Sequence, residues 1–422
     1  MNTSMPAKTA EYVLGIDRSD RSISICLMES ESTLECRDIA SDPATLRDWW
    51  ADLRQRHGDV LIRVAFEQPA LNLLLFFGPL ANTQVYPLNP SIIWNYRQSL
   101  KLSRAHTDQS DAACIARFLQ GHHRTLRPFQ KPDSKAQALH ALNLSRRKLV
   151  DQRTALTNRL QAVLKQYYPQ ALELLHENIH RDMNLALLKK WPNPMALKRC
   201  RESTFTAFFH AAGSRSAKRL QERLAVKQAV CSLTGDPDLL AVWEIELLSI
   251  VEQVQSLNSL IKNHDRIIAE RFSQSDKADL FTSLPGAGKT LAPRLLAAFS
   301  LYAPLCENAA AMAALTGMAP VTEQSGKSHK VYRRMRCDHF LRQTFHEFAK
   351  ESWKHSPWAR AYMKDQQQKG KHFHTIVRCL AQKWIRIIWR CYHSDCLYSE
   401  EHYIENLRKR GNPLIPLIDL AA

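Results

Sequence analysis

Residues 12–28 read YVLGIDRSDRSISICLM. An apolar run, a polar turn at Arg18 to Arg21 and a following alternation that puts Ile23, Ile25 and Leu27 on one face predict a β-hairpin. Outward from it, PATLRDWWADLRQRHG predicts a helix closed by Gly58, VLIRVAFE a strand, NLLLFFGPLA a helix, and TQVYPLNP a short strand that runs into a loop. Strands alternating with helices in this way imply a mixed α/β domain over residues 1–130.

Beyond the RPFQKPDS linker the apolar period changes. Leu142, Leu149, Leu156 and Val163 recur every seven residues, with Arg146, Arg147, Lys148, Arg153, Arg159 and Lys165 on the surrounding faces. Leu240, Trp243, Leu247, Ile250, Val254, Leu257, Ile261 and Ile268 alternate steps of three and four, and only His264 interrupts them. Residues 131–275 therefore predict a helical region of two long heptad helices around a basic middle (LKKWPNPMALKRCR, SRSAKRLQERL). An antiparallel coiled-coil arm, a dimerising helical layer and a plain bundle all satisfy that pattern. Residues 276–422 predict mostly helix, with Gly, Pro and Ser loops at 285–288 and 317–328.

Composition narrows the function. A chain of 422 residues has room for two or three domains. Its 58 Lys and Arg against 41 Asp and Glu leave a net charge of +17, which favours a polyanionic partner, nucleic acid first. The ten cysteines include no CxxC pair, which argues against a zinc ribbon or a disulfide framework and for reduced thiols. The start MNTSMPAKTAEYVLGID has no apolar signal core, and no run of apolar residues reaches the length of a membrane span. The expectation is a soluble protein of the cytoplasm without a membrane partner.

Four acids carry the first chemistry. Asp17 closes the first strand, Glu67 closes VLIRVAFE, and Asp108 and Asp111 stand three apart in HTDQSDAACIARFL, on one face of an expected helix. Strand-end carboxylates beside a helical Asp pair would make an all-oxygen cage suited to Mg²⁺ or Mn²⁺. Two such ions could stabilise the attacking and leaving oxygens of a phosphodiester exchange, the chemistry of a ribonuclease H-like site. Taken singly, Asp17 also reads as a turn residue and the Asp pair as a helix cap.

Two further motifs lie downstream. GMAPVTEQSGKSHKVYRRMRCDHFLR places Ser325 beside Gly326 in a loop, and from Val321 to Arg342 there are six Lys or Arg against two acids. Such a surface draws phosphates, through Lys327, Lys330, Arg333, Arg334 and Arg336. A serine among cations could attack a phosphodiester, although Ser-Gly is more commonly a plain turn. SLPGAGKT, residues 283–290, imitates a phosphate-binding P-loop but has Ser283 where the first glycine belongs and no partner strand downstream. LPGAGKTLAPRLL fits instead a helix-hairpin-helix, with a plain turn between two helices as the alternative. Gly286 and Gly288 would then allow the tight turn, Lys289 and Arg294 would hold a nucleic-acid backbone, and Pro293 would fall in the first turn of the second helix.

GIDRSD, FEQPA, VYPLNPSIIWNYRQS and HTDQSDAACIARF together resemble the RuvC-like N-terminal domain of the Piv/MooV-type DNA invertases and insertion sequence 110 family transposases. GMAPVTEQSGKSHKVYR resembles the serine motif of their C-terminal transposase domain. The resemblance spans about residues 12–350 and implies a RuvC-like domain, a helical coiled-coil region and a C-terminal domain whose serine is the nucleophile. It also implies that Asp17, Glu67, Asp108 and Asp111 bind Mg²⁺ and that Ser325 forms a covalent link to DNA. Further implications are a bridge RNA that guides the reaction and a dimer or tetramer in which subunits share sites. His106 and Gln109 stand where the family often has lysine. A RuvC-like nuclease using only the four acids, and a non-enzymatic nucleic-acid-binding coiled-coil protein, are the alternatives.

Overall fold

In the computed structural model, residues 11–19, 21–30, 32–67, 71–100, 107–130, 133–175, 178–326 and 328–419 are described. The chain divides into two compact units, residues 1–131 and 132–422. In the first, β1 (Tyr12–Arg18) pairs antiparallel with β2 (Ser22–Glu29), the hairpin the sequence predicts. β2 runs on antiparallel into β3 (Ser32–Ala40), a strand absent from the sequence-based expectation. Its residues STLECRDIA are mostly exposed, and its charges suit a sheet edge better than a core strand. β1 also pairs in parallel with β4 (Ile62–Glu67), and β4 with β5 (Thr83–Leu88), giving the order β3-β2-β1-β4-β5. Pro87 is tolerated because β5 is the other edge.

Both faces of this sheet are covered, which is why β2 is buried almost throughout. On one face α1 (Pro43–His57) and α2 (Leu71–Phe77) bring Trp49, Trp50, Leu53 and Phe77 onto Ile23, Ile25 and Leu27. Asp42 caps α1 through the Ala44 and Thr45 N–H groups, and Gly58 closes it. On the other face α3 (Pro90–Ser99) and α4 (Asp108–His122) bring Ile93, Ala112, Ile115 and Leu119 onto Val13, Cys26 and Met28. α3 replaces the loop expected after β5. Asn89 caps it through the Ser91 N–H and Pro90 occupies its first position, a start signal that was legible in NPS.

Among its described residues the second unit is helical except for one hairpin. α5 (Ser134–Tyr167) and the helix Pro237–Ser273 carry the two heptad patterns and pack on each other within the one chain. Their bonds run in opposite senses, Arg146 with Asp265 at 2.5 Å, Arg153 with Asn258 at 3.0 Å and Arg159 with Glu246 at 2.8 Å, so the pair is antiparallel. Val163, Leu247, Ile250, Val254, Ile261 and Ile268 are buried along it. The basic middle folds into short helices around Tyr167, Tyr168, Leu188, Phe205 and Phe209. A second core gathers the helices Gly288–Tyr302, His339–His355 and Phe373–His393 around Phe299, Phe345, Phe348 and Trp384.

One expectation changes here, the place of Pro293. A five-residue helix, Ala278–Thr282, precedes SLPGAGKT where a P-loop needs a strand. Pro293 is the sixth residue of the helix Gly288–Tyr302 and so lies inside it, past the first turn. No single helix among the described residues is long and apolar enough to cross a membrane, and all ten cysteines are free.

Candidate active site

The acids meet at the carboxyl ends of two parallel strands. Ile16 of β1 lies opposite Phe66 of β4, so the next residues, Asp17 and Glu67, end adjacent strands side by side. Open α/β sheets place their ligands at such ends. α4 supplies the other two acids. Thr107 caps it in a capping box with Ser110, which sets Asp108 and Asp111 in the first turn, where the helix dipole favours negative charge. Gly15 lets that helix approach: a Cβ there would stand 2.1 Å from the Ala112 carbonyl oxygen and 2.5 Å from the Ala116 nitrogen.

The electrostatics register the gathering. Burial pushes the Asp17 carboxyl up from its ordinary value, and Asp111 and Asp108 push it further, against the Arg18 backbone and Arg97. Glu67 is raised by burial, then by Asp17 and Asp111, with Arg97 opposing. Arg97, on α3, pairs with Asp111 at 2.5 Å. Among the described residues no three Asp, Glu, His or Cys side chains converge closely enough to hold an ion, so the expected cage stands open. Like charges repel, and Asp111 is engaged by Arg97. The donors are carboxylate oxygens, which fit a hard divalent cation, and the charge crowded around Asp17 is what such an ion would neutralise.

Strand pairing adds residues that the linear sequence did not mark. Asp17 lies opposite Ser24, and Ser24 opposite Asp38. The Ser24 hydroxyl donates to Asp38, which also accepts from the Gln109 amide at 3.2 Å. The Cys36 thiol donates to the Gln109 carbonyl at 3.7 Å. Gln109 thus ties the first turn of α4 to β3. His106 lies outside the described residues.

Ser325 lies on the second unit, at the tip of a two-stranded hairpin, β6 (Val321–Ser325) and β7 (Ser328–Tyr332). It closes a strand, where the sequence suggested an irregular loop. The hairpin forms because two residues join the strands and Gly326, at φ 53°, takes the left-handed conformation such a turn needs. Ser325 is exposed. Lys330 pairs across from Glu323, which is two residues from Ser325 on the same strand and so shares its face. Arg333 and Arg336 are exposed, Arg334 is half-buried and donates to the Ala319 carbonyl at 3.4 Å, and Lys327 lies outside the described residues.

At the glycine hairpin, Gly288 and Lys289 are exposed, and a Cβ on Gly288 would meet open space. Gly286, at φ 79°, has a packing reason of its own, because a Cβ would sit 3.0 Å from the His355 ring and 3.1 Å from the Glu351 backbone. Arg294 does not belong to a backbone grip. It is 6% exposed, donates to Thr344 at 3.1 Å and pairs with Glu347 at 2.5 Å. Its spacing after the hairpin put it on the inner face of its helix.

Two family models match the chain. The DEDD transposase model of the IS110 group matches residues 14–169, which hold the four acids, and the Transposase IS116/IS110/IS902 family model matches residues 278–364, which hold Ser325. A mini-circle protein named for IS117 in Streptomyces coelicolor is 24% identical over 97% of this chain and 98% of its own length. An insertion element IS900 protein of Mycobacterium paratuberculosis is 27% identical over 69% of this chain and 72% of its own. An insertion element IS116 protein of Streptomyces clavuligerus is 25% identical over the same two shares. Two transposase models met in order along one chain, and a relative aligned from end to end, place this protein in the IS110 family of insertion-element transposases, DNA recombinases by class.

Proposed function

We propose that this transposase cuts and rejoins DNA with Asp17, Glu67, Asp108 and Asp111 as holders of Mg²⁺ and Ser325 as nucleophile. The observation that carries the reading is that Asp17 and Glu67 end the neighbouring strands β1 and β4 beside the helix that bears Asp108 and Asp111, where burial and mutual repulsion raise Asp17 and Glu67. Mg²⁺, or Mn²⁺ in its place, would supply Lewis-acid stabilisation of the phosphodiester oxygens. Ser325 Oγ attacks phosphorus, the new O–P bond forms as the bond to a deoxyribose oxygen breaks, and the hydroxyl proton passes to solvent or to that oxygen. The phosphoserine link conserves one phosphodiester-like bond, so rejoining needs no outside energy. Lys330, on the Ser325 face, suits the developing negative charge.

The family resemblance extends the proposal to a guide RNA and to a dimer or tetramer whose subunits share sites, and the net charge of +17 suits both nucleic acids. Phosphate contacts by the turn at Gly286, Gly288 and Lys289 and by Lys327, Lys330, Arg333, Arg334 and Arg336 belong to the same reading.

The test incubates the protein with circular-junction DNA and Mg²⁺ and looks for a protein–DNA adduct that survives denaturation. The adduct is expected from the parent protein and lost in Ser325→Ala and Asp17→Ala. An adduct that persists in Ser325→Ala removes the nucleophile assignment. Cleavage to free 3′-hydroxyl and 5′-phosphate ends with no adduct would instead make the protein a nuclease acting through the acids alone.

A further inference from the structure

At the base of the serine hairpin the second unit opens into a cleft of about 920 Å³. Arg333, which follows β7 directly, and Arg378, on the helix Phe373–His393, line it and also line the adjoining cleft beneath Val331 and Tyr332. His346 and His374 stand beside them, rings stacked at 5.3 Å and nitrogens 3.3 Å apart, and Lys148 of α5 adds a further cation. The acids of the cleft are already engaged. Asp151 pairs with Arg147 at 2.7 Å, Glu347 with Arg294 at 2.5 Å, and Asp338 accepts from the Leu341 N–H at 2.8 Å. Among the described residues, no carboxylate forms an ion pair with Arg333 or Arg378. Arg378 donates to Thr375 at 3.0 Å, a neutral partner.

Cations brought together without an ion-pair partner of their own are costly to a fold. The Arg378 guanidinium shows that cost: burial lowers its proton affinity, and Arg333 lowers it again. The helix Phe373–His393 starts without a side-chain cap at His372 and with no acid in its first turn, so its leading N–H groups add positive potential beside His374.

We propose that this cleft is a phosphodiester-binding groove for the DNA strand that leads to Ser325, with Arg333 and Arg378 each taking a phosphate and the histidine pair lining the path. The strand identity rests on the reading of Ser325 as the nucleophile; the anion site itself does not. Four strand residues at ~3.3 Å each put Ser325 about 13 Å from the base of the hairpin, about four nucleotide steps measured along the axis of a duplex. Arginine suits this role because its planar fork grips a phosphate with two parallel bonds.

The experiment uses the full chain in a Ser325→Ala background without divalent metal, so that binding is read with no chemistry. Affinity for a duplex DNA of arbitrary sequence, and for a single-stranded RNA of the same length, is measured over a range of salt, with and without Arg333→Gln and Arg378→Gln together. For DNA the plot of log affinity against log salt should become shallower by about 1.8, two phosphates at ~0.9 each, equally on unrelated sequences, while RNA binding holds. An unchanged DNA slope, or a loss confined to RNA, overturns the proposal. Thermal melting separates binding from folding. Relief of repulsion should leave the midpoint of the DNA-free double variant equal or higher, and a clear fall would make the two arginines structural. The adduct assay can fail while this slope result stands, so the two readings fall separately.

Discussion

His346 shows how one residue's surroundings set a response to pH. Burial lowers its proton affinity, His374, Arg378 and Lys350 lower it further, and Glu347 alone opposes them. The sign follows from that direction. Below the ordinary histidine range the unfolded chain takes a proton that folded His346 refuses, so the contribution of this group to stability is lost as pH falls from that range through the lowered folded value. His346→Gln should therefore flatten the acid limb of a plot of melting midpoint against pH for the DNA-free protein. An acid limb identical to that of the parent would show that other groups govern it. At the acidic site the same scale explains a limit of the sequence: four carboxylates and their spacing are visible in the linear chain, but Arg97 and Asp38 are not. Arg97 lies in a segment that read as a loop, and Asp38 joins the row of Asp17 and Ser24 only once three strands are in register.

The elements explain why those side chains meet. α4 reaches β1 only because Gly15 has no side chain where the helix backbone passes. Gly15→Val should force α4 away and cost about 1–3 kcal/mol by overpacking, with loss of adduct formation because Asp108 and Asp111 move with the helix. Chemical denaturation and the adduct assay check this together, and a stable, active Gly15→Val protein would contradict it. The hairpin β1–β2, the helix ending at Gly58 and the two heptad helices were legible because their periodicities are long or their caps strong. β3 was not, because an edge strand exposed on both faces lacks the alternation that marks a strand. The heptad seam was legible as a seam, but whether it closes within the chain could be decided only by its partner: α5 and the helix Pro237–Ser273 satisfy each other.

At the scale of the molecule, the acids and the serine belong to different units, each with a core of its own. Independent cores melt independently unless a large apolar interface couples them. Leu14→Ala removes fully buried volume from the first unit and should cost about 2–5 kcal/mol there. Calorimetry should then show one of two transitions shifted down and the other unmoved. A single transition that shifts as a whole would show that the units fold as one.

The linear sequence by itself determined the mixed α/β start, the helical remainder, the basic charge, the four acids and the serine motif, since each depends on local spacing or on composition. Tertiary structure alone decided that Asp17 and Glu67 end neighbouring parallel strands, that Arg294 is buried against Glu347, and that Arg333 and Arg378 share a cleft. Those facts join residues some 45 to 53 positions apart, and for such pairs the partner is set by strand register and helix packing, which no local pattern records.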